Sequence, residues 1–211
     1  MKSILPLLMA ASAIAFHTES ASAQTPARQP RIQGTSFLLA RYASTETLSL
    51  YGAYGHGSAM GLVGVVRNTR TSYQAIIVGG GTRLRVGRRD GLTLLAAIAT
   101  GSDGPALRLY VLPAFRAGRW SVSGNAASYV PLAGRGRLQV LLDPLALSFR
   151  VTSALGAGIA GVARAKGGTR TVVGVGPFAS VRVLRATIRA EMIRLSGSGR
   201  IETRAALGVA F

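Results

Sequence analysis

The segment Arg200-Ile201-Glu202-Thr203-Arg204-Ala205-Ala206-Leu207-Gly208-Val209-Ala210-Phe211 decides between a helix and a strand. Ile201, Thr203, Ala205, Leu207, Val209 and Phe211 share one parity; Arg200, Glu202, Arg204, Ala206, Gly208 and Ala210 share the other. At helical spacing Arg200, Arg204, Leu207 and Phe211 would lie together, mixing charge with apolar bulk. As a strand, the segment has one almost wholly apolar face and one polar or small face. The strand reading is the consistent one.

The same alternation recurs upstream. Leu107, Leu109, Val111 and Phe115 oppose Arg108, Tyr110 and Arg116, and Leu145, Leu147, Phe149 and Val151 oppose Ser148 and Arg150. Thr82, Leu84 and Val86 oppose Arg83 and Arg85. Leu184, Ala186, Ile188, Ala190 and Met192 oppose Arg185, Thr187, Arg189 and Glu191. Turn signals separate such stretches: 67–70, 88–91, 101–104, 117–119, 132–136, Asp143-Pro144, 165–169 and 196–199. This spacing predicts tight hairpins of an antiparallel meander. Asp90, Asp103 and Asp143 fall in turn signals, where aspartate commonly stabilises the turn itself. Tyr73 to Gly87 reads equally as one long strand or as a hairpin.

The N-terminal region carries a different signal. Lys2 is followed by an apolar run from Ile4 to Phe16 and by Ala21-Ser22-Ala23, the pattern of a secretory signal peptide. The run is shorter than the ~20 residues of a membrane-spanning helix. Residues 1–23 are therefore expected to be a leader cleaved after Ala23, and 24–33 a polar, proline-containing tail. A barrel or sandwich domain over 34–211 would follow. The chain has no cysteine, which excludes a disulfide scaffold and thiolate metal sites. His17 would leave with the leader, so His56 would be the remaining histidine. No cofactor or metal is expected.

Removing Lys2 and Glu19 with the leader leaves 24 cations against six carboxylates. Apart from Lys2 and Lys166, every cation is arginine. Arginine binds carboxylates and phosphates bidentately where lysine does not. An exported chain rarely meets nucleic acid, so small anions and anionic lipid are the expected partners, and nucleic acid is not.

Two features favour a membrane barrel over a soluble sandwich. The arginines repeatedly take the face opposite the apolar one, as a wet lumen inside a lipid-facing wall requires. The alternation also runs to a final aromatic, Phe211. The leader, the strand pattern and this last strand resemble those of bacterial outer-membrane β-barrels. The resemblance names no functional family. It implies export to the outer membrane of a Gram-negative-type bacterium, with contacts to outer-membrane lipid and lipopolysaccharide. It also implies that Val209 and Phe211 form the signal read by the barrel assembly machinery. A spanning strand of ~9–11 residues with short turns predicts an all-β, antiparallel up-and-down barrel of about 12 strands, with ten and fourteen the neighbouring even counts.

Catalytic candidates are few. A serine nucleophile needs a base within reach, and the one pairing is His56 with Ser58, with no acidic residue nearby in sequence. This reads as a glycine-rich turn, and an enzyme is not expected. Gly79-Gly80-Gly81 lacks the lysine and serine or threonine of a phosphate loop. The remaining constellation is Arg83, Arg85, Arg108, Arg150, Arg185, Arg189 and Arg204, a basic lumen lining that either passes small anions or fills the interior as structure. A turn centred on Gly197-Ser198 would place Glu191 opposite Arg204 as a lumen ion pair, and Leu184 opposite Phe211. The reading is thus an outer-membrane barrel acting as an anion pore or as a structural protein. The alternatives are a membrane-embedded lipid-modifying enzyme and a soluble periplasmic β-protein binding an apolar ligand.

Overall fold

A computed structural model of the chain describes residues 35–86, 90–133 and 137–211. The expected leader 1–23 and tail 24–33 lie outside the described residues. Twelve strands follow one another: β1 (Thr35–Ala43), β2 (Thr47–His56), β3 (Ala59–Asn68), β4 (Tyr73–Arg85), β5 (Gly91–Gly101) and β6 (Ala106–Ala117) come first. They continue as β7 (Trp120–Pro131), β8 (Gln139–Arg150), β9 (Leu155–Lys166), β10 (Val172–Val183), β11 (Ala186–Leu195) and β12 (Ile201–Ala210). Each pairs antiparallel with its sequence neighbours, and β1 pairs with β12, closing the barrel. Closure satisfies every edge, which an isolated sheet in lipid could not do.

An even strand count brings the start of β1 and the end of β12 to one end of the barrel, here termed the terminal end. The turn at 57–58 lies there. The turns at 44–46 and 69–72 lie at the opposite, loop end.

The side chains sort by parity. Outward positions carry a belt of exposed apolar residues, among them Leu50, Val63, Val65, Ile76, Val78, Ile98, Leu109, Val111, Leu147, Ile159, Val175 and Met192. Such a continuous apolar face is not stable in water and fits a hydrocarbon surround. The inward face is not uniformly basic. On the β2–β6 wall it is a packed apolar cluster containing Met60, Leu62, Ile77, Leu95, Tyr110 and Leu112. Strands such as β3, with sequence AMGLVGVVRN, put apolar residues on both faces, so their inward side chains pack against one another. Gly64 makes room in this wall: a Cβ there would collide with the Tyr51 ring.

One open alternative is resolved and two local expectations change. Tyr73–Arg85 is a single strand. Asp143-Pro144 is not a turn but a bulge inside β8. Leu142 pairs with Ala163 and Leu145 with Gly161, so Asp143 and Pro144 together face one residue, Val162. The bulge switches the inward parity from Gln139, Leu141 and Asp143 to Ala146, Ser148 and Arg150. Finally, the chain turns at Leu184-Arg185, with Val183 paired to Ala186. That turn removes the expected Leu184–Phe211 pair. The rest of the final hairpin has the anticipated register, with Ile188 opposite Leu207 and Glu191 opposite Arg204.

Candidate functional site: a charged cluster in the lumen

The charged side of the interior is built from β1, β8, β9, β11 and β12. Alternation turns Arg189 and Glu191 of β11 and Glu202 and Arg204 of β12 inward, and all four are buried. Arg204 Nε donates to Glu202 Oε1 at 2.6 Å, and its Nη1 donates to Asp143 Oδ1 at 2.6 Å and to Glu191 Oε2 at 3.4 Å. Its side chain is 0% exposed, so this guanidinium has exchanged water for three carboxylates. A buried arginine is tolerable only with such compensation. Arg189 Nε lies 2.8 Å from Glu191 Oε1, yet neither atom reaches hydrogen-bond geometry, so that contact is Coulombic. The Arg189 guanidinium also stacks 3.6 Å from the centre of the Phe178 ring.

Asp143 is the hub. Besides Arg204, it accepts from Arg41 Nη2 at 2.6 Å and from Arg164 Nη2 and Nε at 2.9 and 3.1 Å. Arg164 in turn donates to both Glu202 oxygens at 2.9 Å. Arg41, Arg164, Arg189 and Arg204 thus meet Asp143, Glu191 and Glu202 in one cluster, and these three are the inward-facing strand carboxylates among the described residues.

Further cations lie on the inward face beyond the cluster. Toward the loop end, Arg108 Nη2 donates to the Tyr73 hydroxyl at 3.1 Å, and its guanidinium sits 5.2 Å from the Tyr129 ring centre. Toward the terminal end, Arg83 is half-buried and Arg85 exposed, both on inward parity of β4. Arg150 closes β8 and donates to the Gly118 carbonyl at 3.1 Å. Arg116 and Arg182 line the same vestibule. Arg185 is different: it occupies the β10–β11 turn and is exposed there, so it lines no part of the interior. Sequence alternation placed it on the inward parity because the turn at 184–185 carries neither glycine nor proline.

Several spaces lie along the interior. A cavity of about 540 Å³ opens at the loop end, lined by Arg41, Ser49, Tyr51, Arg108, Asp143, Arg164 and Glu202 among others. A cavity of about 80 Å³ lies deeper, against Met60, Leu95, Tyr110, Asn125 and Arg189. A third, of about 100 Å³ at the terminal end, is lined by Arg116, Arg150, Arg182 and Arg189 and by hydroxyls of Ser121, Ser148, Ser180 and Thr187.

Sequence reasoning missed Arg41, Arg164 and the role of Asp143. One signal was present: Val140 and Leu142 are outward on even numbers and Leu145, Leu147 and Phe149 on odd ones. A parity switch without glycine marks a bulge in a continuing strand better than a turn. His56 ends β2 on the outward face, and Ser58 follows in the turn after Gly57, so they build no site in the lumen. Among the described residues no group of three or more His, Cys, Asp or Glu is placed to hold a metal. Val209 pairs with Ala186 and Leu38 on the outward face. Phe211 lies just past β12, 66% exposed, its amide donating to the Ser36 carbonyl at 2.9 Å.

No protein-family model and no curated protein matches the sequence. Among solved structures the fold is similar to that of the KdgM porin. One such structure is of the porin in complex with disordered oligogalacturonate, and each of the two has a TM-score of 0.57 and 12% identity over 85% of this chain and 98% of that chain. It is also similar to the NanC porin, with a TM-score of 0.54 and 11% identity over 85% of this chain and 99% of that chain. At such identities the likeness is one of fold.

Proposed function

We propose that the protein is an outer-membrane barrel that passes small anionic solutes. The observation that carries this reading is the charge distribution of the interior. The inward strand carboxylates Asp143, Glu191 and Glu202 are all engaged in the cluster, while Arg108 and Lys166 outnumber Asp103 on the loop side and Arg150 and Arg182 add positive charge on the terminal side. Cationic linings lower the barrier for anions and raise it for cations. The exposed apolar belt supports a lipid surround. The fold shared with the KdgM and NanC porins is consistent with passage of solutes, and the oligogalacturonate bound to KdgM is itself an anion.

The experiment is planar-bilayer recording across a KCl gradient. A reversal potential displaced toward chloride supports the reading, and a displacement toward potassium, or no current, defeats it. Fractionation with the outer membrane and heat-modifiable migration on a detergent gel separate a membrane barrel from a soluble periplasmic one.

A further inference from the structure

Three guanidinium groups from three strands converge on one carboxylate inside the barrel, on the loop-end side. Both oxygens of Asp143 are held, Oδ1 by Arg41 and Arg204 and Oδ2 by Arg164. Arg41 stands on β1 and Asp143 on β8, with β9 to β12 between them along the wall, so the contact is a chord across the lumen. Arg41, Tyr51 and Asp143 line both the loop-end cavity and the deeper one, so they stand where the two adjoin.

The cluster is reachable, and two of its three arginines, Arg164 and Arg204, are held by a second carboxylate. The side chains of Asp143, Arg41 and Arg164 are 15%, 17% and 28% exposed, and all three line the loop-end cavity. Glu202 keeps its own bonds to Arg164 and Arg204, so those two guanidiniums stay in place when the Asp143 carboxylate moves away. Asp143 itself belongs to a two-residue bulge that faces the single residue Val162, where ladder pairing is interrupted.

We infer that Arg41, Arg164 and Arg204 form a carboxylate site that Asp143 fills as a tethered counter-ion, and that a solute carboxylate crosses by taking the place of Asp143. The inference rests on the pore reading. Its chemistry is exchange of like for like: the guanidiniums keep a carboxylate partner throughout, and no arginine is left desolvated and unpaired. The site would therefore serve small solutes bearing a carboxylate, and neutral solutes of the same size would gain nothing from it.

The test uses native and Asp143→Asn barrels, each first shown to be heat-modifiable, in planar bilayers with KCl. The native reversal potential reads the pore itself. Glucuronate is then added on one side, with glucose as the neutral control. The Asn variant is expected to carry more chloride current and to be half-blocked by glucuronate at about tenfold lower concentration, the factor one hydrogen bond to a charged group represents. Unchanged current and unchanged block, in a variant that remains anion-selective, overturn the inference and leave the pore reading standing. Cation preference or no current in the native barrel overturns both. Should Asp143→Asn not assemble, Arg41→Gln cuts the arm that crosses the lumen. Larger chloride current with weaker glucuronate block supports the site, and native behaviour refutes it.

Discussion

Asp143 on β8 and Arg41 on β1 touch across the barrel, Nη2 to Oδ1 at 2.6 Å, although four strands separate them along the wall. This pair ties the first strand to the middle of the chain, while the ladder ties it to the last strand and to β2. Its geometry depends on the β8 bulge, and that dependence can be probed directly.

Deleting Pro144 restores plain alternation in β8 without moving any other side chain to the wrong face: Leu141 and Asp143 stay inward, Leu145 outward and Ala146 inward. Deleting Ala146 instead leaves the bulge and turns Leu147 and Phe149 inward and Arg150 toward lipid. The Pro144 deletion is expected to give a heat-modifiable barrel at near-native yield, and the Ala146 deletion a small fraction of it. Equal yields from the two would contradict the face assignment of β8.

Arg204 is a deeply enclosed cation, bonded to Asp143, Glu202 and Glu191. Replacing it by Met removes the shared partner of three carboxylates and is expected to destabilise the barrel by about 3–5 kcal/mol, the usual cost of breaking a buried ion pair from one side. Arg85→Met, at the exposed rim of the same face, serves as the control with a small effect. Urea unfolding in lipid vesicles measures both, and similar midpoints would show the cluster to be solvated.

Val78 lies near the middle of β4 on the outward face and is exposed there. Val78→Arg is expected to cost ~2–4 kcal/mol of folding stability in a bilayer, as arginine does at the lipid-facing midplane. The same variant in a soluble protein would be close to neutral. A neutral result in vesicles would therefore remove the lipid from this face.

Phe211 lies beyond the last ladder pair and makes one backbone bond, to Ser36. Its deletion is expected to leave in vitro refolding nearly unchanged while slowing the appearance of heat-modifiable protein in cells. Loss of both would make Phe211 a packing residue, and loss of neither would remove its part in assembly.

The amino-acid sequence by itself determined the strand class, the even strand number near twelve and the two faces of most strands. Each of these follows from local parity, and a period of two is legible wherever the two faces meet different solvents. It also determined the final hairpin's register, because a turn centred on Gly197-Ser198 sets Ile188, Ala190 and Met192 opposite Leu207, Ala205 and Thr203 on one face. Only the tertiary structure decided the rest. Whether Asp143-Pro144 ends a strand or bulges within it depends on continuous pairing with β7 and β9. That Arg185 caps a hairpin depends on where β10 stops, which no glycine marks. The convergence of Arg41, Arg164 and Arg204 on Asp143 depends on closure, which brings distant strands to opposite sides of one narrow interior. Parity says which side chains point inward; the curvature of the closed wall decides which of them meet.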